Sequence, residues 1–165
     1  MVIVLTSKSR KSSYNKGSVF DWLFADPLLP GTPAPDFSLP DQDGNVVSLA
    51  ALRGHNVVLV FYPGDDTSVC RQQLCEFRDR WSIAQQKNTL IFGVNPQNAQ
   101  SHAKFIGKSR LPFPLLVDAG QKTGVFYKAK GLIVRRTVYL IGPDGVIRFG
   151  QRGTPDPDQV LSHAA

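Results

Sequence analysis

FYPGDDTSVCRQQLCEFRD, Phe61 to Asp79, decides how the chain reads. Immediately upstream, Asn56-Val-Val-Leu-Val-Phe-Tyr62 is a β-branched and aromatic run, the pattern of a strand buried on both faces of a sheet. Pro63 ends it, Gly64-Asp65-Asp66 form a loop, and Thr67 or Ser68 serves as N-cap for a helix. Leu74, Phe77, Trp81 and Ala84 then recur at spacings of three and four, one apolar stripe of an amphipathic helix. Cys70, four residues before Leu74, falls in the first turn of that helix and faces the sheet. Unpaired backbone N–H groups and the positive end of the helix dipole favour negative charge there, and the thiolate is the nucleophilic form of cysteine.

Cys75 is the second of the chain's two cysteines, five residues on. Five residues advance a helix by about 7.5 Å and turn it by about 140°, so the two Cα atoms stand about 8.6 Å apart on nearly opposite faces. A disulfide needs Cα atoms within about 7 Å. A bond between them therefore requires the first turns to unwind, which predicts a two-state element: a folded helix with Cys70 poised, and a locally opened form that Cys75 can reach.

Outward from this stretch, 165 residues with 42% hydrophobic and 19% charged content predict one globular domain with a core of its own. No apolar stretch approaches the ~20 residues that cross a membrane. Of the net charge of +6, four units come from Lys8, Arg10, Lys11 and Lys16 within residues 1–16, and no basic face is legible on the remainder, so a nucleic-acid partner is not expected. The apolar start Val2-Ile3-Val4-Leu5 is too short, and precedes the basic residues, so no export is expected. Residues 1–28 read as an N-terminal extension and 29–165 as the domain; within the extension, Val19-Phe20-Asp21-Trp22-Leu23-Phe24 is expected to pack on the domain.

Phe37–Leu39 and Val46–Leu49 flank Asp41-Gln42-Asp43-Gly44, an N-terminal β-hairpin. Ser48–Leu52 begins a short helix that Gly54 ends. Thr89–Val94 is a second buried strand, Asn98 caps a helix to about Lys108, Leu115–Asp118 is a third strand, and 121–127 a short helix. Leu132–Ile141 and Val146–Gly150 surround Pro143-Asp144-Gly145, an antiparallel hairpin, and Pro155 and Pro157 precede a last short helix. Strands alternating with helices, then a hairpin, give an α/β chain with a mixed central sheet flanked by helices.

Pro63-x-x-x-Thr67-x-x-Cys70 resembles the active-site motif of peroxiredoxins, and Cys75 at the fifth position on, followed by Phe77-Arg78-Asp79, resembles the bacterioferritin-comigratory or Q-type subgroup. The resemblance runs from about Gly31 to Val160 and includes Pro33-Ala-Pro-Asp-Phe-Ser-Leu39, Arg110-Leu-Pro-Phe113 and Arg136-Thr-Val-Tyr-Leu-Ile141. Ser68-Val69 stand where many members have Pro-Gly, and Gly64 where lysine is common.

The resemblance implies a thioredoxin-like fold and a thiol peroxidase acting on hydrogen peroxide and organic hydroperoxides. In it Cys70 would be the peroxidatic cysteine, oxidised to a sulfenic acid. Thr67 would hydrogen-bond peroxide and thiolate, Pro63 would shield the sulfur from water, and Arg136 would supply positive charge. Cys75 would resolve the sulfenic acid as an intramolecular disulfide, and thioredoxin or a similar dithiol would return both to thiols, with no metal or organic cofactor and the chain a monomer. Only one of Arg135 and Arg136 on a strand can face the site; the resemblance favours Arg136.

Simpler readings stand beside these. Free cysteines are often small buried hydrophobes. A C-x4-C pair falls within zinc-ligand spacing, but His55, His102 and His163 form no paired pattern, and a thioredoxin-type exchanger carries C-x-x-C. A redox-sensing interaction protein would use the same thiol, and a one-cysteine cycle would use an external one. Asp65 and Asp66 read as loop and capping residues, His102 as a solvated helix residue, and Glu76 as a tie for the helix. Closely spaced cysteines point to a reducing compartment, the cytoplasm, or an organelle stroma if residues 1–16 are a transit segment.

Overall fold

The computed structural model describes residues 25–165. The expectations for residues 1–16 and for Val19 to Phe24 lie outside the described residues. The central sheet is five-stranded, in the order β5-β4-β3-β6-β7, where β3 is Asn56–Phe61, β4 Thr89–Asn95, β5 Leu115–Val117, β6 Thr137–Ile141 and β7 Ile147–Arg152. β3, β4 and β5 run parallel, whereas β6 is antiparallel to β3 and to β7. The hairpin expected around Asp41 forms a separate two-stranded sheet, β1 (Ser38–Pro40) with β2 (Val46–Ser48). Its turn is closed by the Asp41 carboxylate, which accepts from the backbone N–H groups of Asp43 and Asn45.

Strand alternation sorts β3 into two cores. Val58, Val60 and Tyr62 pack under Cys70, Leu74 and Phe77 of α1 (Ser68–Asp79), with Phe105 of α3 (Ala99–Ser109) and Val160 of α5 (Pro157–Leu161). Val57, Leu59 and Phe61 face Phe37, Leu49 and Tyr127 on the opposite side, where the hairpin and α4 (Lys122–Phe126) lie. Each β3 side chain is buried, as a strand covered on both faces requires. This mixed sheet between helices is the thioredoxin-like fold that the resemblance implies.

Two elements differ from the sequence reading. The helix expected to carry the stripe through Ala84 breaks at Arg80 (φ −105°, ψ 9°) into α1 and α2 (Trp81–Gln86). The apolar stripe survives the break, since Leu74, Phe77 and Ala84 are buried while Trp81 is half-buried with its ring 6.1 Å from that of Phe113. The strand expected over Leu132–Ile141 begins only at Thr137. Upstream, local partners take the backbone groups a ladder would use: Gly131 exchanges both of its with the Gln121 side chain, and Arg135 N–H donates to the Ala129 carbonyl. Leu132 is left 90% exposed, the opposite of a sheet residue.

At the start of the described chain, the Ala25 carbonyl accepts from Arg135 at 3.0 Å and from Arg152 at 2.5 Å, and Leu28 N–H donates to the Tyr139 hydroxyl at 3.0 Å. These four residues before the expected domain start are held against the sheet.

Candidate active site

β3 ends at Phe61, Tyr62 stays buried, and the chain leaves the sheet through half-buried Pro63. Asp66 takes the left-handed conformation (φ 58°), a geometry that Asp tolerates better than most side chains. Thr67, extended at φ −75° and ψ 150°, is the N-cap of α1, so Cys70 sits in the first turn as expected. The Thr67 hydroxyl makes no capping bond; it donates to the Gly64 carbonyl at 3.5 Å. It is exposed, as are Ser68 and Val69.

Cys70 is fully buried and free. The Arg136 Nη2 donates to its Sγ at 3.2 Å, and the Nη1 donates to Gln73 Oε1 at 2.7 Å. Gln73, buried in α1 one turn after Cys70, donates onward to the Gly153 carbonyl at 3.3 Å. The guanidinium is thus oriented by one end of an amide whose other end is fixed to the backbone after β7. A cation that cannot deprotonate, aimed at a buried sulfur at a helix start, is an arrangement that stabilises a thiolate and any negative charge developing on a neighbouring oxygen.

The choice between adjacent arginines is resolved by geometry. Arg136 turns to Cys70, whereas Arg135 turns away to Ala25. Both lie just before β6, so it is the loop entering the strand that positions them. Cys75 lies in the next turn and a half of α1, half-buried and also free. With the helix intact it stands on the far side from Cys70. Glu76 accepts from Gln72 at 3.2 Å within the helix, the tying role expected of it.

Three sequence expectations need correction. His102 is fully buried, with Nδ1 2.7 Å from Asp65 Oδ2 and Nε2 3.1 Å from the Leu116 carbonyl. Asp65 lies in the loop, as expected, but the N-cap of α1 is Thr67, and the Asp65 side chain is only 4% exposed. Burial pushes the Asp65 carboxyl up, but hydrogen bonds from His102, Ser101 and Tyr62, together with the His102 charge, outweigh it and hold the group below the usual carboxylate range. Asp66 caps nothing; it pairs with Lys108 at 2.6 Å and Arg71 at 3.1 Å, which lower its carboxyl in that order. Burial, followed by Asp65 and Cys70, raises the Tyr62 hydroxyl well above its ordinary value, so it remains a donor. Sequence reasoning also missed Gln73, whose only signal is its place one helical turn from Cys70 on the same face.

The profile of the AhpC/TSA family matches residues 30–149. The solved structure of peroxidoxin BcpB from Mycobacterium tuberculosis superposes with a TM-score of 0.76 at 28% identity, covering 82% of this chain and 95% of that one. The chain belongs to the AhpC/TSA family. Its relatives place it beside the peroxiredoxin Q proteins: that of Sedum lineare is 32% identical over 156 residues, 92% of this chain and 81% of the relative. That of Oryza sativa subsp. japonica is 38% identical over 123 residues, 72% of this chain, and the match spans only 57% of the relative's length. Both relatives are named as chloroplastic.

Proposed function

We propose that the chain is a thiol peroxidase that reduces hydrogen peroxide and organic hydroperoxides. One observation carries the reading: the Arg136 guanidinium lies 3.2 Å from the buried Cys70 sulfur at the start of α1. In the reaction the Cys70 thiolate attacks one peroxide oxygen. The S–O bond forms as the O–O bond breaks, the second oxygen leaves as alkoxide or hydroxide and is protonated from solvent, and the sulfur is oxidised by two electrons to a sulfenic acid. Arg136 faces the charge that develops, and the Thr67 hydroxyl rotates from Gly64 to donate to the peroxide. Pro63 limits water at the sulfur.

Cys75 then attacks the sulfenic sulfur. An S–S bond forms, and the hydroxyl departs as water with the Cys75 proton. Because the two Cα atoms stand about 8.6 Å apart in an intact helix, the first turns of α1 open for this step. A thioredoxin-like dithiol supplies two electrons and two protons to regenerate both thiols. No resident metal or organic cofactor takes part, and a monomer suffices because every group named comes from one chain. A reducing compartment suits the cycle: the cytoplasm, or an organelle stroma, the relatives from Oryza sativa and Sedum lineare being named as chloroplastic. The domain that does this work spans residues 29–165.

Peroxide consumption with a thioredoxin reducing system, and the mass of peroxide-treated protein, test the reading. Wild type turns over and loses two hydrogens; Cys70→Ser is inactive; Cys75→Ser retains a sulfenic acid or takes up an external thiol. Turnover in Cys70→Ser would overturn the assignment, and a single stoichiometric oxidation without turnover would leave a redox sensor instead.

A further inference from the structure

Beneath the loop that feeds α1 lies a polar cluster that the proposed chemistry does not use. The Asp65 carboxylate receives four side-chain donors: Tyr62 (2.6 Å) and Asn95 (3.1 Å) on Oδ1, Ser101 (2.6 Å) and His102 (2.7 Å) on Oδ2. They come from the ends of β3 and β4 and from α3, and His102 continues to β5 through the Leu116 carbonyl. The two His102 ring nitrogens thus bridge the Asp65 carboxylate and the Leu116 carbonyl. The Asp65 backbone N–H is also taken, by Gln97 Oε1 at 2.5 Å. One buried carboxylate therefore ties the catalytic loop to three parallel strands.

Its neighbour in sequence is Asp66, held at φ 58°, and only Asp66 and Thr67 separate the cluster from the first residue of α1. A non-glycine residue stays left-handed where its surroundings over-determine it, and Asp66 is flanked by the Asp65 contacts on one side and by its own pairing with Lys108 and Arg71 on the other. We propose that the Asp65–His102 pair is a latch that is closed in the dithiol form and released when the first turns of α1 open, so that it sets the balance between the peroxide-ready helix and the Cys70–Cys75 disulfide. His102 is then a positioning residue. It touches no reacting atom, and acts by fixing the loop from which Thr67 and Cys70 start. The inference rests on the reading of Cys75 as the resolving cysteine.

A latch present in only one redox state has a thermodynamic signature. Removing it destabilises the dithiol relative to the disulfide, so the pair's reduction potential falls. Asp65→Asn and His102→Gln, equilibrated in dithiothreitol redox buffers and read by thiol alkylation and mass, are expected to shift the equilibrium about tenfold toward the disulfide, ~30 mV more negative. Rapid-quench measurements are expected to show slower sulfenic acid formation and faster disulfide closure in the same variants. Ser101→Ala, which deletes one donor and spares the pair, shifts the potential the same way by less, and keeps the test available should either first variant fail to fold.

A pair that merely supports the fold would lower thermal stability in both redox states and leave the potential where it is in all three variants; that result overturns the latch. Absence of any internal disulfide in wild type overturns the resolving role of Cys75 itself, and is told apart by the wild-type mass alone.

Discussion

Arg136 and Cys70 are 66 residues apart in the chain and meet at 3.2 Å, Nη2 to Sγ. The contact exists because β6 pairs antiparallel with β3, Thr137 beside Phe61, which brings the loop entering β6 next to the loop leaving β3. Gln73 fixes the guanidinium from the other side at 2.7 Å. Arg136→Lys is expected to lower the rate of peroxide reaction by about 10²-fold, because an ammonium cannot serve sulfur and Gln73 together in the guanidinium's geometry. Gln73→Ala, which leaves the charge but frees its orientation, is expected to cost about tenfold. Stopped-flow oxidation of the two variants checks the order; a Gln73→Ala loss as large as that of Arg136→Lys would mean that orientation accounts for the whole effect, and no loss in Gln73→Ala that Gln73 orients nothing.

Thr67 and Asn98 both stand at helix starts, and only one of them caps. Asn98 Oδ1 accepts from Ser101 N–H at 2.9 Å, whereas the Thr67 hydroxyl makes no capping bond. Asn98→Ala is expected to lower stability by about 1 kcal/mol. Thr67→Val is expected to leave stability within about 0.5 kcal/mol while reducing peroxide turnover by roughly 10²-fold. Urea midpoints set beside peroxidase rates separate the two; a stability loss in Thr67→Val comparable to that of Asn98→Ala contradicts the geometry.

Asp65 gives the fold an acid-sensitive element. Its carboxyl is lower in the folded state than in the unfolded chain, where it titrates near ~3.9. The stabilisation is therefore complete above the unfolded value and is lost as pH falls through the folded one. Asp144, lowered first by the backbone N–H of Val146 and then by Arg148, and Asp66, lowered first by the Lys108 hydrogen bond, add shares of their own; both are exposed, and 1 M salt, with a Debye length of ~3 Å, weakens only the charge–charge part of each, so Asp65→Asn is compared with wild type, in which those shares are the same. Denaturant midpoints in high salt are expected to drop below about pH 4 in wild type and to drop less in Asp65→Asn. Parallel curves would remove Asp65 from the acid response.

Gly93, in the middle of β4, has no room for a side chain. A Cβ there would stand 2.5 Å from Leu115 Cδ2 and 2.9 Å from Tyr62 Cε1. The methyl of Gly93→Ala would push on the ring whose hydroxyl reaches Asp65. A loss of about 1–3 kcal/mol is expected in a urea melt, with a slower peroxide reaction as the loop shifts. An unchanged melt would show that Leu115 yields without cost.

The sequence made the site's local parts legible, since a proline, a threonine and a cysteine at fixed spacings are consecutive in one loop and one helical turn. It misjudged His102 as solvated, and Asp65 and Asp66 as caps, because the partners of a polar side chain at a helix start or in a loop are not legible from its neighbours in sequence. The partners of Asp65 come from as far as His102, 37 residues away. The strand expected from Leu132 failed for a related reason: β-branched composition was outweighed by the Gln121 side chain holding Gly131 in a loop.

What the sequence determined by itself is the setting of Cys70, a buried strand, a tight loop and a helix start, together with an i+5 cysteine that an intact helix holds away. Such features depend on backbone periodicity, which neighbouring residues set. Which arginine meets the sulfur, that a glutamine orients it, and that a buried histidine–aspartate pair fixes the loop were decided only by the tertiary structure. Those contacts depend on how β6 registers against β3 and on how α3 lies beside the strand ends, and sheet register is set by the packing of the whole core.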